Sequence, residues 1–187
     1  MMKVLTVRSE LNEYWQAHPE AATSAIFSDD DQFAAFDTSK YLIQDSGEAV
    51  WSHMVKGFSS DSMSAYLEFW GVMQALIIQQ DAICEIHKSL VGSTPSIPTI
   101  SAWFDLRNLR NRLAGHPASK SVKGGVLRSF MGRDFGDYEE ISYEQYDSST
   151  KASTWPGFNL RQMINDYDAQ AAALLASALA ELKRKCA

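Results

Sequence analysis

Residues Ser64 to Leu90 constrain the fold more than any other stretch of the chain. Tyr66, Phe69, Trp70, Met73, Leu76, Ile77, Ile83 and Leu90 recur at steps of three and four, the period of one face of an α-helix. Leu67, Val72, Ile78 and Ile86 make the opposite side apolar as well. A helix that is apolar all round must be surrounded by other elements, so the spacing predicts a central helix with a bundle packed about it. Gln80 and His87 interrupt the stripe, and polar residues in such places are ordinarily core groups with hydrogen-bond partners.

The rest of the chain supplies elements to wrap it. Ser9 to Gln16 reads as a first helix capped by Ser9 and ended at His18-Pro19. Asp29-Asp30-Asp31 reads as a helix start, because acidic side chains favour the positive end of the helix dipole. Phe33, Phe36 and Tyr41 are apolar anchors nearby, and Glu48 to Lys56 reads as a further helix before the linker Gly57 to Ser62. After a Gly/Ser/Thr/Pro loop at Val91 to Pro98, Thr99 or Ser101 caps a second long-period helix, with Ile100, Trp103, Leu106, Leu109 and Leu113 as its stripe. Gly115 stands where a left-handed residue would close that helix, and Pro117 cannot continue it. From Gly124 to about Tyr146 the period changes and suggests a small β-hairpin. Ser148 to Pro156 reads as loop, and Asn159 to Lys185 as a last, alanine- and leucine-rich helix. The expected fold is a mainly α helical bundle in one domain over 1–187. It has an N-terminal helical extension over 1–60, a core helix pair over 64–117, a hairpin over 124–147 and a C-terminal helix over 159–185.

Composition limits what such a domain can do. The chain has 187 residues, long enough to bury a core without covalent staples. Its two cysteines, Cys84 and Cys186, have neither the number nor the spacing of a disulfide framework or a zinc site. No metal and no other cofactor is expected. No signal-like or membrane-spanning stretch stands out, so the sequence reads as a cytoplasmic protein without membrane contact. The net charge of −6 argues against a general nucleic-acid coat protein. Its distribution says more: Arg107, Arg110, Arg112, Lys120, Lys123, Arg128 and Arg133 fall in one window without Asp or Glu, leaving −13 on the remainder. A basic island on an acidic body can attract a phosphate ligand while the body repels others, or it can be a solvated surface pairing within the fold.

Within that island, Arg110, Asn111 and His116 can carry chemistry. Arginine offers a planar fork of donors to a phosphate. Histidine can take and return a proton near neutral pH. Asparagine can hold a phosphate oxygen or orient the imidazole. The set suffices to cut RNA without metal: the imidazole deprotonates a ribose 2′-hydroxyl, and the guanidinium stabilises charge on the phosphoryl oxygens. Equally, Arg, Asn and His near a helix end are common for capping alone.

The stretch Leu109-Arg110-Asn111-Arg112-Leu113-Ala114-Gly115-His116-Pro117 resembles the signature of the HEPN superfamily, helical domains with an Arg-x4–6-His motif and commonly a polar residue directly after the arginine. The preceding helix, Tyr66 to Asp81, is similar to the one that packs beside the motif helix in that family. The likeness covers roughly Ser64 to Pro117 and the last helix; the N-terminal helices and the hairpin stand as elaborations. It implies a homodimeric bundle with a composite site, acting as a metal-independent endoribonuclease in a toxin–antitoxin or phage-defence setting. The partners it implies are RNA and an antitoxin protein. By the same carry-over His116 is the acid/base, Arg110 the transition-state contact, Asn111 a supporting polar group, Asp81 an orienting carboxylate, and Arg107 and Arg112 guides for RNA. Some members of the superfamily have lost catalysis, so a non-catalytic RNA-, nucleotide- or protein-binding module is the alternative. A scaffold in which the motif only closes a helix is the blandest reading.

Overall fold

The structure, a computed structural model, describes residues 1–18 and 26–186; Pro19, expected to help end the first helix, lies outside them. The described residues form five α-helices, α1 Lys3–Ala17, α2 Asp30–Lys56, α3 Ser62–Val91, α4 Ala102–Arg110 and α5 Leu160–Cys186, with short antiparallel strands between α4 and α5. The architecture is mainly α, with the β insertion directly before the last helix.

α3 is the axis of the bundle. Phe69, Met73, Leu76, Ile83, Ile86 and Leu90 are fully buried. α2 packs along α3 most extensively, α5 and α4 cover other faces, and α1 lies across α5 and α2. Val4, Leu5 and Leu11 of α1 and Phe36, Ile43, Val50 and Met54 of α2 belong to the same continuous core as α3. The N-terminal helices α1 and α2 therefore share one core with α3. The wrapping of α3 is incomplete at one place, where Met63, Leu67 and Trp70 stay exposed on its outer face.

Asp29 caps α2 as expected, its carboxylate accepting the Gln32 amide at 2.8 Å. α2 then runs unbroken to Lys56, absorbing the stretch read as a separate helix from Glu48. It passes through Gly47 because α1 and α3 close in there: a β-carbon at Gly47 would lie 2.6 Å from Leu5 Cδ2 and 3.0 Å from Gln79 Nε2. Tyr41 is 59% exposed, so it is no core anchor. α1 begins at Lys3, six residues before the expected cap Ser9, and has no capping side chain of its own. Asp168 of α5 does that work, accepting the Lys3 amide at 2.6 Å and the Val4 amide at 3.0 Å.

The insertion is larger than the expected hairpin. β1 Lys120–Val122, β2 Gly125–Phe130, β4 Glu144–Asp147 and β5 Ala152–Thr154 form a four-stranded antiparallel sheet in the order β1-β2-β4-β5, and β3 Ile141–Ser142 pairs with β6 Gly157–Phe158. Gly124 makes the β1–β2 turn at φ +88°, a conformation open to glycine at no steric cost. Asp147 accepts the Ser149 amide at 2.8 Å and helps turn the chain from β4 into β5, where loop had been expected; strands of three residues leave too little alternation to read.

A polar clamp holds this insertion to the helices. Tyr138 hydrogen bonds to His53 Nδ1 at 2.7 Å, and His53 Nε2 faces Glu68 Oε2 at 3.4 Å. Glu68 also accepts from the Ser59 amide at 2.6 Å and from Lys56 at 3.0 Å. The Ser59 amide first, then Lys56, hold the Glu68 carboxyl below its usual range.

Asp168→Ala leaves the Lys3 and Val4 amides without their acceptor and lowers stability by about 1–3 kcal/mol, read from a urea melt, with Asp168→Asn recovering part of the loss. Because the folded pKa of Glu68 is depressed, its contribution is fully present above the ordinary carboxyl value of 4.5 and is lost as pH falls through the folded value. Glu68→Gln is thus less stable than the parent by about 1 kcal/mol at neutral pH, and the gap closes in melts at progressively more acid pH.

Candidate functional site

Ser101 caps α4, its hydroxyl accepting the Phe104 amide at 3.4 Å while donating to Pro98 O at 2.8 Å. Ile100, counted in the apolar stripe, precedes the helix and is 94% exposed. Trp103, Leu106, Leu109 and Leu113 are buried as the period requires. α4 lies antiparallel to α3, and the buried side chain of Gln80 fixes its register: Gln80 Nε2 donates to Trp103 O at 3.0 Å and Gln80 Oε1 accepts from Arg107 Nε at 3.0 Å.

α4 does not end as expected. Gly115 is not left-handed; the positive-φ glycines among the described residues are Gly57, Gly92, Gly124 and Gly136. Instead the chain widens into a π-helical turn over Asn111–Gly115, and the His116 amide donates to Asn111 O at 2.9 Å. Single π turns of this kind are rare and occur frequently at functional sites. The glycine serves a different purpose. A β-carbon at Gly115 would stand 2.9 Å from Arg110 Nη1 and 3.5 Å from its Cζ, so the guanidinium lies folded directly over that backbone.

Two acceptors hold Arg110 in this pose. Nη2 donates to Gln74 Oε1 of α3 at 2.9 Å, and Nη1 to Asn111 Oδ1 at 3.1 Å. The remaining donors of the fork have no acceptor among the described residues and can serve an anion. Asn111 thus steadies the arginine, a different task from orienting the histidine. His116 follows Gly115 immediately and is exposed; its ring makes no hydrogen bond among the described residues. Arg110, Asn111 and His116 are therefore gathered around one turn, with Gln74 across the helix interface. Gln74 was not singled out from the sequence, where it appears only as a polar break in an apolar run.

The other named residues point elsewhere. Asp81 is ion-paired with Arg107 and makes no hydrogen bond or ion pair with Arg110 or His116. Arg112 leaves on another face of the helix and donates to Tyr143 Oη at 2.7 Å. The three arginines thus separate: Arg107 is neutralised on α3, Arg112 braces the β insertion, and Arg110 folds back over the glycine that precedes His116. Of the seven cations between Arg107 and Arg133, only Arg107 has a carboxylate partner among the described residues.

A groove of roughly 780 Å³ adjoins the turn. Leu113 and Pro117 form its near end, Trp70, Leu67 and Met63 of α3 one wall, and Phe130 of β2 the other, with Arg133 at the rim. The Ser129 amide donates to Pro117 O at 2.8 Å and ties β2 to the exit of the motif turn.

Among the described residues no group of three or more His, Cys, Asp and Glu side chains is placed to hold a metal ion, and no helix is long and apolar enough to cross a membrane. No family model, curated protein or solved structure matches the chain.

Gly115→Ala should leave the fold intact, since the tight contact of the added methyl is with the end of a flexible side chain and the Arg110 carbonyl oxygen stays at an ordinary 3.6 Å, while expelling the guanidinium from its seat. The expected outcome is a Tm within about 4 °C of the parent together with a shifted Arg110 Nε–H signal in side-chain NMR. An unshifted signal would show that the guanidinium does not rest on Gly115.

Proposed function

We propose that the protein is a metal-independent endoribonuclease of the HEPN kind. The observation that carries this reading is the π turn that folds the Arg110 guanidinium onto Gly115, the residue directly before the exposed His116. A phosphodiester laid on the turn would meet both groups at once. His116 takes the proton of the ribose 2′-hydroxyl, the freed oxygen attacks the adjacent phosphorus, and the 5′-oxygen leaves to give a 2′,3′-cyclic phosphate. Arg110 neutralises the charge building on the non-bridging oxygens and is already positioned by Gln74 and Asn111, so it needs little reorganisation as the reaction proceeds. The unpaired cations of the basic island supply long-range attraction for RNA on an otherwise acidic body. The same reading makes the protein a homodimer, in which a second imidazole protonates the leaving 5′-oxygen. It also includes an antitoxin-type protein that restrains the enzyme, and a cytoplasmic setting in a toxin–antitoxin or phage-defence system.

A second reading, a non-catalytic RNA- or nucleotide-binding module, is favoured by one feature. Arg110 is fixed at two points, whereas no neighbour among the described residues fixes the tautomer of the His116 ring. The two readings separate in one experiment.

Purified protein incubated with cellular RNA in EDTA should cut it and leave cyclic phosphate ends. Arg110→Ala should reduce the rate about 100- to 1,000-fold and His116→Ala about 100- to 10,000-fold. Binding without cleavage by the parent would favour the module, and cleavage undiminished in both variants would exclude this site as the source of activity.

A further inference from the structure

The groove beside the motif turn has the wrong surface for water and the right one for a particular ligand. Trp70 is 40% exposed, Leu67 67% and Phe130 62%. Met63, Leu67, Trp70 and Gln74 follow one another at steps of four, three and four, so they line one face of α3. That face runs from the apolar wall to the residue that holds Arg110. Trp70 and Gln74 are one helical turn apart, about 6 Å along the axis. The aromatic wall and Arg110 thus lie within the reach of adjacent units of one extended chain.

Charge decides among occupants. No Asp or Glu lines the groove, and Arg133 stands at its rim. The one acid on the neighbouring stretch of α3, Glu68, is turned away to the Ser59 amide and Lys56. Segment 107–133, which supplies the near end, the floor and the far wall, is free of acids. An acidic polymer carrying flat apolar rings meets both features: rings against Trp70 and Phe130, phosphates along the cations.

We propose that the groove between α3 and β2 is a binding site for the unpaired bases of a single-stranded nucleic acid, stacked on Trp70 and Phe130 next to the phosphate held at Arg110. The proposal rests on the reading of Arg110 and His116 as an RNA site and adds a selection rule to it. Bases locked in a duplex cannot enter the groove, so the site takes single strands. Trp70 and Phe130 are binding residues and touch no reacting atom.

The test uses the full chain and a short single-stranded DNA, which lacks the 2′-hydroxyl and cannot be cut by the proposed reaction. Binding is compared with a strand of equal length in which the bases are removed from consecutive positions. The base-bearing strand should bind about 5- to 150-fold more tightly than the abasic one. Trp70→Ala and Phe130→Ala should each remove most of that preference, and Trp70→Phe should restore much of it. Trp70 is 40% and Phe130 62% exposed, and the Tm of each variant checks that the fold is kept. Equal affinity for the two strands, or unchanged preference in both alanine variants, overturns the proposal. So does a parent dimer that Trp70→Ala splits into monomers while strand binding is untouched, because the groove is then a self-association face. Cleavage of RNA in EDTA by a parent that shows no base preference would remove the groove and leave the nuclease. Base preference without any cleavage would do the reverse.

Discussion

Inside the bundle, one amide side chain sets where the motif helix lies. Gln80 is buried on α3 and uses both ends on α4, donating to the Trp103 carbonyl and accepting from Arg107. A buried amide left without partners is costly, so sliding α4 along α3 by a turn would forfeit these bonds together with the packing of Trp103 and Leu106. With that register set, Arg110 comes opposite Gln74 and Arg107 opposite Asp81. The position of the candidate site follows from a polar contact about two turns away in the core.

The turn after α4 shows how a small backbone irregularity can arrange polar groups. A π turn inserts one residue into the usual helical count, and here it carries His116 around to the exit of the helix while Arg110 doubles back over Gly115. The absence of a side chain at Gly115 gives the guanidinium its seat, and Gln74 and Asn111 give it its bonds. The exit is then pinned to β2 by the Ser129–Pro117 hydrogen bond, which brings the aromatic ring of Phe130 across from Trp70. The β insertion is in this sense part of the site, since it builds the second wall of the groove.

Much of the helical framework was legible because it is periodic. α3 announces itself by apolar residues on every side, α5 by its alanine and leucine content, and α2 by the acidic cap at Asp29. What could not be read depended on partners distant in the chain. The start of α1 at Lys3 rests on Asp168, a cap supplied from 165 residues away, so no local signal marked it. α2 continues through Gly47 because Leu5 and Gln79 press against it there. β1 and β5 are too short to alternate visibly and exist because β2 and β4 offer them edges.

The same division holds at the site. The sequence by itself determined a mainly helical bundle, a basic island without acids, and an Arg-Asn-x4-His segment at a helix end, since each is a matter of period, composition or spacing along the chain. Only the tertiary structure decided that Asp81 pairs with Arg107, that Arg112 turns to Tyr143, that Gln74 holds Arg110, and that an open apolar groove begins at Leu113 and Pro117. Those outcomes depend on how two helices and a sheet approach one another, and side-chain hydrogen bonds between distant segments are set by packing geometry that no local pattern encodes.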